Sequence, residues 1–276
     1  MINLEYADPP AVLAPYVSSF YLFDTDEAGL EDFERAYIAQ IRFVLRGSGE
    51  IIFNDGSRSL YFPQSIVGPR TGASRMSLLE GARVFGVGLL PAGWATLMGV
   101  PADEYADRLV DAHTIFGDLV TDFAAKLHDC TTLDQMAAGF GVLAVDYRNR
   151  AKAVPHWFVR AVDSWLGSRL TPEIAELEAE TRLSRRQIEK MAKQIYGAPP
   201  KLLVRKYRAL RTANAIVQGQ GDWQDFVDEG YYDQSHCIRE LKEFTGMTPV
   251  QLRDHASRTM KMTTGCAQLG AIWPRS

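Results

Sequence analysis

Gln234, Ser235, Arg239 and Lys242 stand within one short segment, spaced so that a helix over them turns their side chains away from Cys237, Leu241 and Phe244. Gln and Arg can form paired hydrogen bonds with adenine and guanine edges in a major groove wide enough for an α-helix, while Lys suits phosphate as a point charge. Cys237, Leu241 and Phe244 recur at i, i+4 and i+7 and form the stripe that must be buried. Asp233 supplies the N-cap, Gly246 the stop and Pro249 the first turn of the next helix. A single helix of this kind is more often an ordinary capped surface helix, so a second copy carries the weight.

That copy lies upstream. Ser184 and Gln187 have capping-box spacing, Ile188, Met191, Ala192 and Ile195 form the buried stripe, and Arg185, Arg186, Glu189, Lys190 and Lys193 lie off it. Gly197 stops this helix and Pro199 follows, so cap, amphipathic helix, Gly stop and Pro restart occur twice, an internal repeat of helix-turn-helix type. The run 199–218 between the copies predicts one long helix, with Leu202, Leu203, Tyr207, Leu210, Ala213 and Ile216 inside and Lys201, Arg205, Lys206, Arg208 and Arg211 outside. Roughly twenty residues span about 30 Å, close to the ~34 Å turn of B-DNA that separates successive major grooves on one duplex face.

These residues resemble the DNA-binding domain of the AraC/XylS family of bacterial transcription regulators. The resemblance is densest over 230–253, in Gly230-Tyr231-x-Asp233-Gln234-Ser235-His236, Arg239-Glu240-Leu241-Lys242, Thr245-Gly246-Met247-Thr248-Pro249 and the closing Arg253; the first unit, 183–207, fits more loosely. It implies base-edge readers at Arg186, Glu189 and Lys190 in the first unit and at Gln234, Ser235, Ile238 and Arg239 in the second. Arg185, Lys193 and Lys242 are the phosphate candidates. Two departures stand out. Cys237 occupies a place where the family usually has Phe, leaving a smaller core side chain, and Asp225-Phe226-Val227-Asp228-Glu229 replaces a more apolar run. The added carboxylates would weaken non-specific affinity for phosphates.

Charge patterning agrees, although the total of -4 would by itself argue against a nucleic-acid binder. Residues 1–150 carry 11 Lys and Arg against 20 Asp and Glu; residues 151–276 carry 19 against 14. A basic reader fused to an acidic partner domain has this asymmetry. The 276 residues suit two domains. The expected division is a β-rich effector-sensing domain over 1–112, a helical connector over 113–154, a DNA-binding domain over 155–258 with a linker near 151–155, and a tail over 259–276. Three cysteines, Cys130, Cys237 and Cys266, without metal spacing, and no secretory signal pattern after Met1, predict a cytoplasmic protein. The uncharged stretch 84–102 contains Gly86, Gly88, Pro91, Gly93, Gly99 and Pro101, so it predicts a buried strand over 84–90 and a short helix from Pro91 rather than a membrane span.

The first hundred residues predict strands over 40–46, 50–53, 59–62, 65–68 and 84–90, joined by turns at Gly47-Ser48-Gly49 and Asp55-Gly56. The expected fold is α+β in two domains: a small N-terminal β-barrel with flanking helices, then an all-α domain of two helix-turn-helix units joined by a long helix. The family commonly places a cupin-like effector and dimerisation domain there, and Pro15-Tyr16-Val17 with Gly86-Val87-Gly88-Leu89-Leu90-Pro91 resembles a subset of such sensors. Candidate effector-binding residues are Tyr37, Arg42, Phe43, Arg46, Tyr61, Arg70 and Trp94, although aromatic residues on short strands are more often core than pocket. Arg42 and Arg46 alternate with Ile41, Phe43 and Leu45, and two guanidiniums on one strand face suit a carboxylate or phosphate, or pair with the acidic surface.

Catalysis finds little support. His113 and His128 fall after the expected strands, no metal site is visible, and Gly86-Val87-Gly88 lacks the third glycine of a dinucleotide loop. Cys237 lies on a buried stripe, which makes a poor nucleophile. Helices expected over 117–130 and 132–150 carry apolar stripes, Leu119, Phe123 and Leu127 on one and Met136, Phe140, Leu143 and Tyr147 on the other, that could cover the barrel or form a dimer interface. The expected function is a sequence-specific DNA-binding transcription regulator, not an enzyme and without a cofactor, whose N-terminal domain senses a small molecule or partner. Candidate partners are double-stranded DNA, a small-molecule effector, RNA polymerase and a second copy of the chain, with no membrane. The alternative is a ligand-binding or protein-interaction module with a degenerate DNA-binding domain, motivated by Cys237 and the acidic 225–229 run.

Overall fold

The computed structural model describes residues 2–148, 154–220 and 223–256. Linker residues 151–153, the tail 259–276 with Cys266, and the side chain of Tyr147 fall outside these. The order of elements is a β region followed by helices, an α+β architecture.

Strands β1 (Ile2–Ala7), β2 (Val17–Thr25), β4 (Ala39–Arg46), β7 (Gln64–Val67), β9 (Ala82–Leu89) and β10 (Leu109–Asp111) form one antiparallel sheet in the order β1-β2-β9-β4-β7-β10. The second sheet has the order β3-β8-β5-β6, from β3 (Leu30–Glu34), β5 (Gly49–Ile52), β6 (Arg58–Leu60) and β8 (Ser74–Leu78). Two-residue alternation gives the larger sheet two different faces. Phe20, Ile41, Phe43, Phe85 and Val87 are fully buried on one, while Tyr21, Gln40, Arg42, Val44 and Val84 look across to the second sheet. Gly86 is central to this second face. A Cβ there would come within 1.9 Å of the Tyr21 ring, so this glycine is what lets Tyr21 lie flat across β9.

Helix α1 (Pro91–Leu97) follows β9 with Pro at its first turn, and a 3₁₀ turn spans Ala102–Glu104. After the short α2 (His113–Phe116), helices α3 (Asp118–Leu127) and α4 (Leu133–Arg148) cover the apolar face of the larger sheet. Phe123 stands edge-on to Phe43 at 5.1 Å between centroids, and Phe140 edge-on to Phe20 at 5.8 Å. Such T-shaped pairs add to the energy of burial itself. Phe123 and Leu127 of the first stripe and Met136, Phe140 and Leu143 of the second pack into this core with the larger sheet, and Phe43 belongs to it.

Helices α5 (His156–Ser168), α6 (Ile174–Thr181), α7 (Arg185–Tyr196), α8 (Pro200–Val217), α9 (Asp225–Gly230), α10 (Gln234–Thr245) and α11 (Pro249–His255) build two small cores along one helix. Around the start of α8, Leu203 and Tyr207 pack with Phe158, Trp165, Leu177, Ile188 and Ile195. Around its end, Ala209, Ala213 and Ile216 pack with Tyr231, Cys237, Leu241, Phe244 and Leu252. Burial on both flanks is why α8 shows so little solvent-facing surface.

In the first core Tyr196 donates its hydroxyl proton to Asp163 at 2.7 Å. Burial pushes the Asp163 carboxyl up to about 7, against the opposing effect of that hydrogen bond. A raised acid stabilises the fold below its ordinary titration range and loses that contribution as pH rises through the folded value. Wild-type stability between pH 4 and 7 is thus expected to fall relative to Asp163→Asn, checked by urea unfolding across that window; parallel profiles for the two proteins would contradict the assignment.

Candidate nucleic-acid interface and the cavity behind it

Each candidate reading helix is delimited by its own side chains. At α7 the Gln187 side chain accepts from the Ser184 backbone N–H at 2.9 Å. At α10 the Asp233 carboxylate accepts from the His236 N–H at 2.7 Å. Both helices end at a left-handed glycine, Gly197 (φ 79°) and Gly246 (φ 78°). Arg185, Arg186, Glu189, Lys190 and Lys193 are exposed on α7, as are Gln234, Ser235, Arg239 and Lys242 on α10, with Ile238 half-buried. Arg185 and Glu189 approach to 3.5 Å as an exposed i,i+4 pair, which leaves both mobile enough to turn to a ligand.

The two terminal glycines also mark where the helices meet the β region. A Cβ at Gly197 would touch Pro69 at 2.5 Å, and one at Gly246 would touch the Phe33 ring at 2.4 Å. Around Gly246 the contact is reinforced by backbone bonds, Ala36 N–H to the Phe244 carbonyl at 2.7 Å and Ala73 N–H to the Glu243 carbonyl at 2.8 Å. The C-terminal ends of both helices are therefore docked, while exposed polar residues run along their outward faces, from Arg185 to Lys193 on α7 and from Gln234 to Lys242 on α10.

The connector differs from its expected form. Of the five cationic side chains expected outside, Lys201 is exposed, Arg205 and Arg211 are half-buried, and Lys206 and Arg208 are buried. Arg208 donates to Glu240 through Nε at 3.0 Å and Nη2 at 2.6 Å, and Arg205 Nε donates to the same carboxylate at 2.8 Å. His236 Nδ1 accepts from the Tyr232 N–H, leaving Nε2 as donor to Glu240 at 3.1 Å. Arg211 caps the Leu166 and Arg169 carbonyls. Lys206 reaches into the β region and donates to the carbonyls of Arg70 at 2.8 Å and Tyr37 at 3.2 Å. Burial pulls its ammonium down to about 7, opposed by Asp107 and assisted by Arg70. The basic face thus ties domains together instead of lying along solvent. Glu240 was legible in principle: position 240 is i+3 from Cys237, on the buried stripe, where a lone carboxylate demands partners.

Cys237 is fully buried, and burial followed by the charge of Glu240 pushes its thiol up to about 11, so it is an unreactive core residue.

Between the two sheets lies a cavity of about 130 Å³. Tyr37, Arg42, Tyr61 and Arg70 line it, together with Glu34, Gln40 and Tyr21, which sequence did not single out. Arg42 donates to Glu34 at 2.7 Å, to Gln40 at 2.6 Å and to the Tyr61 hydroxyl at 3.1 Å, while Arg70 holds the other oxygen of Glu34. Burial would raise the Glu34 carboxyl, but Arg42 and Arg70 outweigh it and hold it below the ordinary range. Three of the expected effector residues lie elsewhere. Phe43 points to the helices. Arg46 is turned out to Asp24 (2.8 Å) and Asp26 (3.2 Å), because a bulge between Val44 and Arg46 breaks the alternation that would have put it beside Arg42. Trp94 sits on α1 with its Nε1 donating to the Val100 carbonyl at 2.9 Å. Among the described residues no group of three His, Cys, Asp or Glu side chains is placed to hold a metal, and no helix is long and apolar enough to cross a membrane.

Residues 5–111 match the model of a domain of unknown function, DUF6597. No curated protein matches the chain. Among solved structures, ToxT from Vibrio cholerae is similar at 11% identity over 84% of this chain and 96% of that one, with a TM-score of 0.49. The unsaturated fatty acid bound form of ToxT, from strain SCE256, is similar at 12% identity over 83% and 91%, with a TM-score of 0.47. The AraC-like transcriptional activator CuxR is similar at 11% identity over 76% and 86%, with a TM-score of 0.33.

Removing one partner of a buried ion pair leaves the other charged and unpaired. Glu240→Ala is expected to cost about 3 to 5 kcal/mol in denaturant unfolding, whereas Glu243→Ala, which removes only the half-exposed contact to Arg205, should cost about 1 kcal/mol or less. Equal losses would contradict the role given to Glu240.

Proposed function

We propose that this chain is a sequence-specific DNA-binding transcription regulator of the AraC/XylS type, with α7 and α10 as reading helices and the cavity as the place where a small molecule acts. The observation that carries this reading is the pair of capped helices, docked at their C-terminal ends, whose outward faces hold Arg186, Glu189 and Lys190 on one and Gln234, Ser235 and Arg239 on the other. Residue types suited to base edges and phosphates thus sit on exposed faces in two separate units. The connector α8 has 18 residues, about 27 Å at ~1.5 Å per residue, which is of the order of the ~34 Å between successive major grooves. Arg185, Lys193 and Lys242 are exposed beside these faces and suit phosphates.

The acidic balance of the chain is compatible with this role because the carboxylates of the β region are distant in sequence from the reading faces and several are consumed in ion pairs, such as Glu34 with Arg42 and Glu50 with Arg58. Asp225 and Glu229 remain exposed near the second unit and shift the balance from general phosphate attraction to specific contacts.

Arg239→Ala is expected to cost about 1 to 3 kcal/mol on the preferred site and to relax selection at one base, while Lys193→Ala should weaken all duplexes alike. Binding titrations on selected and random duplexes measure both. Equal losses for Arg239→Ala on the two duplexes would overturn its assignment, and absence of duplex binding at low ionic strength would overturn the regulator reading itself.

A further inference from the structure

The cavity between the sheets has a charge problem. Among the described residues lining it, Arg42 and Arg70 share one carboxylate, Glu34. Arg70 is 3% exposed and its Nε is buried without a hydrogen-bond partner. Buried cations with an incomplete set of acceptors are costly, and an anion relieves that cost. Away from the guanidiniums the walls are apolar, with Leu4, Phe23, Val44, Met76, Leu78 and Val84. The volume of about 130 Å³ is close to that of a dry protein cavity of ~150 Å³ able to hold one benzene ring. Glu34 itself demonstrates which anion the guanidinium pair accepts, since one planar carboxylate bridges Arg42 and Arg70 through its two oxygens.

The wall that carries this bridge is the wall that docks α10. Phe33 lies against Gly246, Arg35 donates to the Asn214 side chain of α8 at 3.0 Å, and Ala36 N–H bonds the Phe244 carbonyl at 2.7 Å. On the other side of the bridge, the Arg70 carbonyl accepts from Lys206 at 2.8 Å, and Ala73 N–H bonds the Glu243 carbonyl at 2.8 Å.

We propose that the cavity binds a small organic carboxylate with a compact apolar body, its charged end on Arg42 and Arg70 in competition with Glu34, and that occupancy loosens the 33–37 and 70–73 segments from α8 and α10. The ligand class rests on the cavity alone; its use as a signal rests on the regulator reading. Two carboxylates sharing one guanidinium pair repel each other, so the arriving anion weakens the hold of Glu34. Because Glu34 is followed directly by the residues that grip α8 and α10, the second reading helix is what that loosening reaches.

The test uses calorimetry and hydrogen exchange on the full chain without DNA, so that it succeeds or fails independently of duplex binding. The probes are hexanoate, cyclohexanecarboxylate and phenylacetate, with cyclohexanecarboxamide and cyclohexyl phosphate as matched neutral and dianionic compounds. At least one carboxylate should bind about tenfold or more tightly than the amide and the phosphate, and Arg70→Gln should lose about tenfold or more of that affinity. Val84→Phe, which fills the apolar end and leaves every arginine in place, should lose binding while its unfolding transition stays cooperative. Bound carboxylate should speed exchange of the Ala36 and Ala73 amides. Failure of all three carboxylates to bind at millimolar concentration, equal binding of the amide, or preference for the phosphate would overturn the ligand class; carboxylate binding with unchanged Ala36 and Ala73 exchange would overturn the coupling.

Discussion

One buried carboxylate holds the second unit in place. Glu240, 1% exposed, receives hydrogen bonds from Arg208 and Arg205 of α8 and from His236 of its own helix. Three donors around one carboxylate in a low-dielectric setting compensate its desolvation only while all keep their geometry, which makes the arrangement specific in position as well as strong. The apolar stripe of Cys237, Leu241 and Phe244 would let α10 slide or rotate a little against α8. The charge cluster does not. It sets which face of α10, the one with Gln234, Ser235 and Arg239, is left looking outward.

A second constraint acts at the opposite end of the same helix. The carbonyls of Glu243 and Phe244, which a helix C-terminus leaves without internal partners, are satisfied by Ala73 and Ala36 of the β region. The terminal glycine then allows Phe33 to close against it. In the first unit Gly197 meets Pro69 in a comparable way. The β region is thereby a common base for both helices, and its cavity shares a wall with that base. Packing, capping and charge all serve one result, two helices anchored at their C-terminal ends with their polar faces outward.

Much of this was legible in the chain itself because local rules governed it. The caps at Ser184 and Asp233, the stops at Gly197 and Gly246, and the strands β4, β5, β7 and β9 follow from short-range chemistry and alternation. β1, β2, β3, β8 and β10 were not expected; in β3 and β8, Glu31-Asp32-Phe33-Glu34 and Ser74-Arg75-Met76-Ser77 lack a clean apolar alternation, and their polar residues face a cavity or the edge of a small sheet. The connector was misjudged for a physical reason as well. Hydrophobic periodicity ranks Lys206 and Arg208 as outward, but it cannot see that a carboxylate from α10 and two carbonyls from the β region wait to receive them. Arg46 was lost to a bulge, which breaks the two-residue rule without any residue announcing it. Arg42 and Arg70 kept their place at the cavity because their partner, Glu34, lies on another strand, the kind of information that only tertiary structure supplies.

As a regulator, the protein must bring both helices onto one duplex together. Hydroxyl-radical footprinting of the intact protein on a selected site tests this directly, because each helix seated in a major groove shields the sugars beside it. Two protected patches on the same face, separated by about 10 base pairs, are the predicted result. A single patch, or two patches on opposite faces of the duplex, would contradict it.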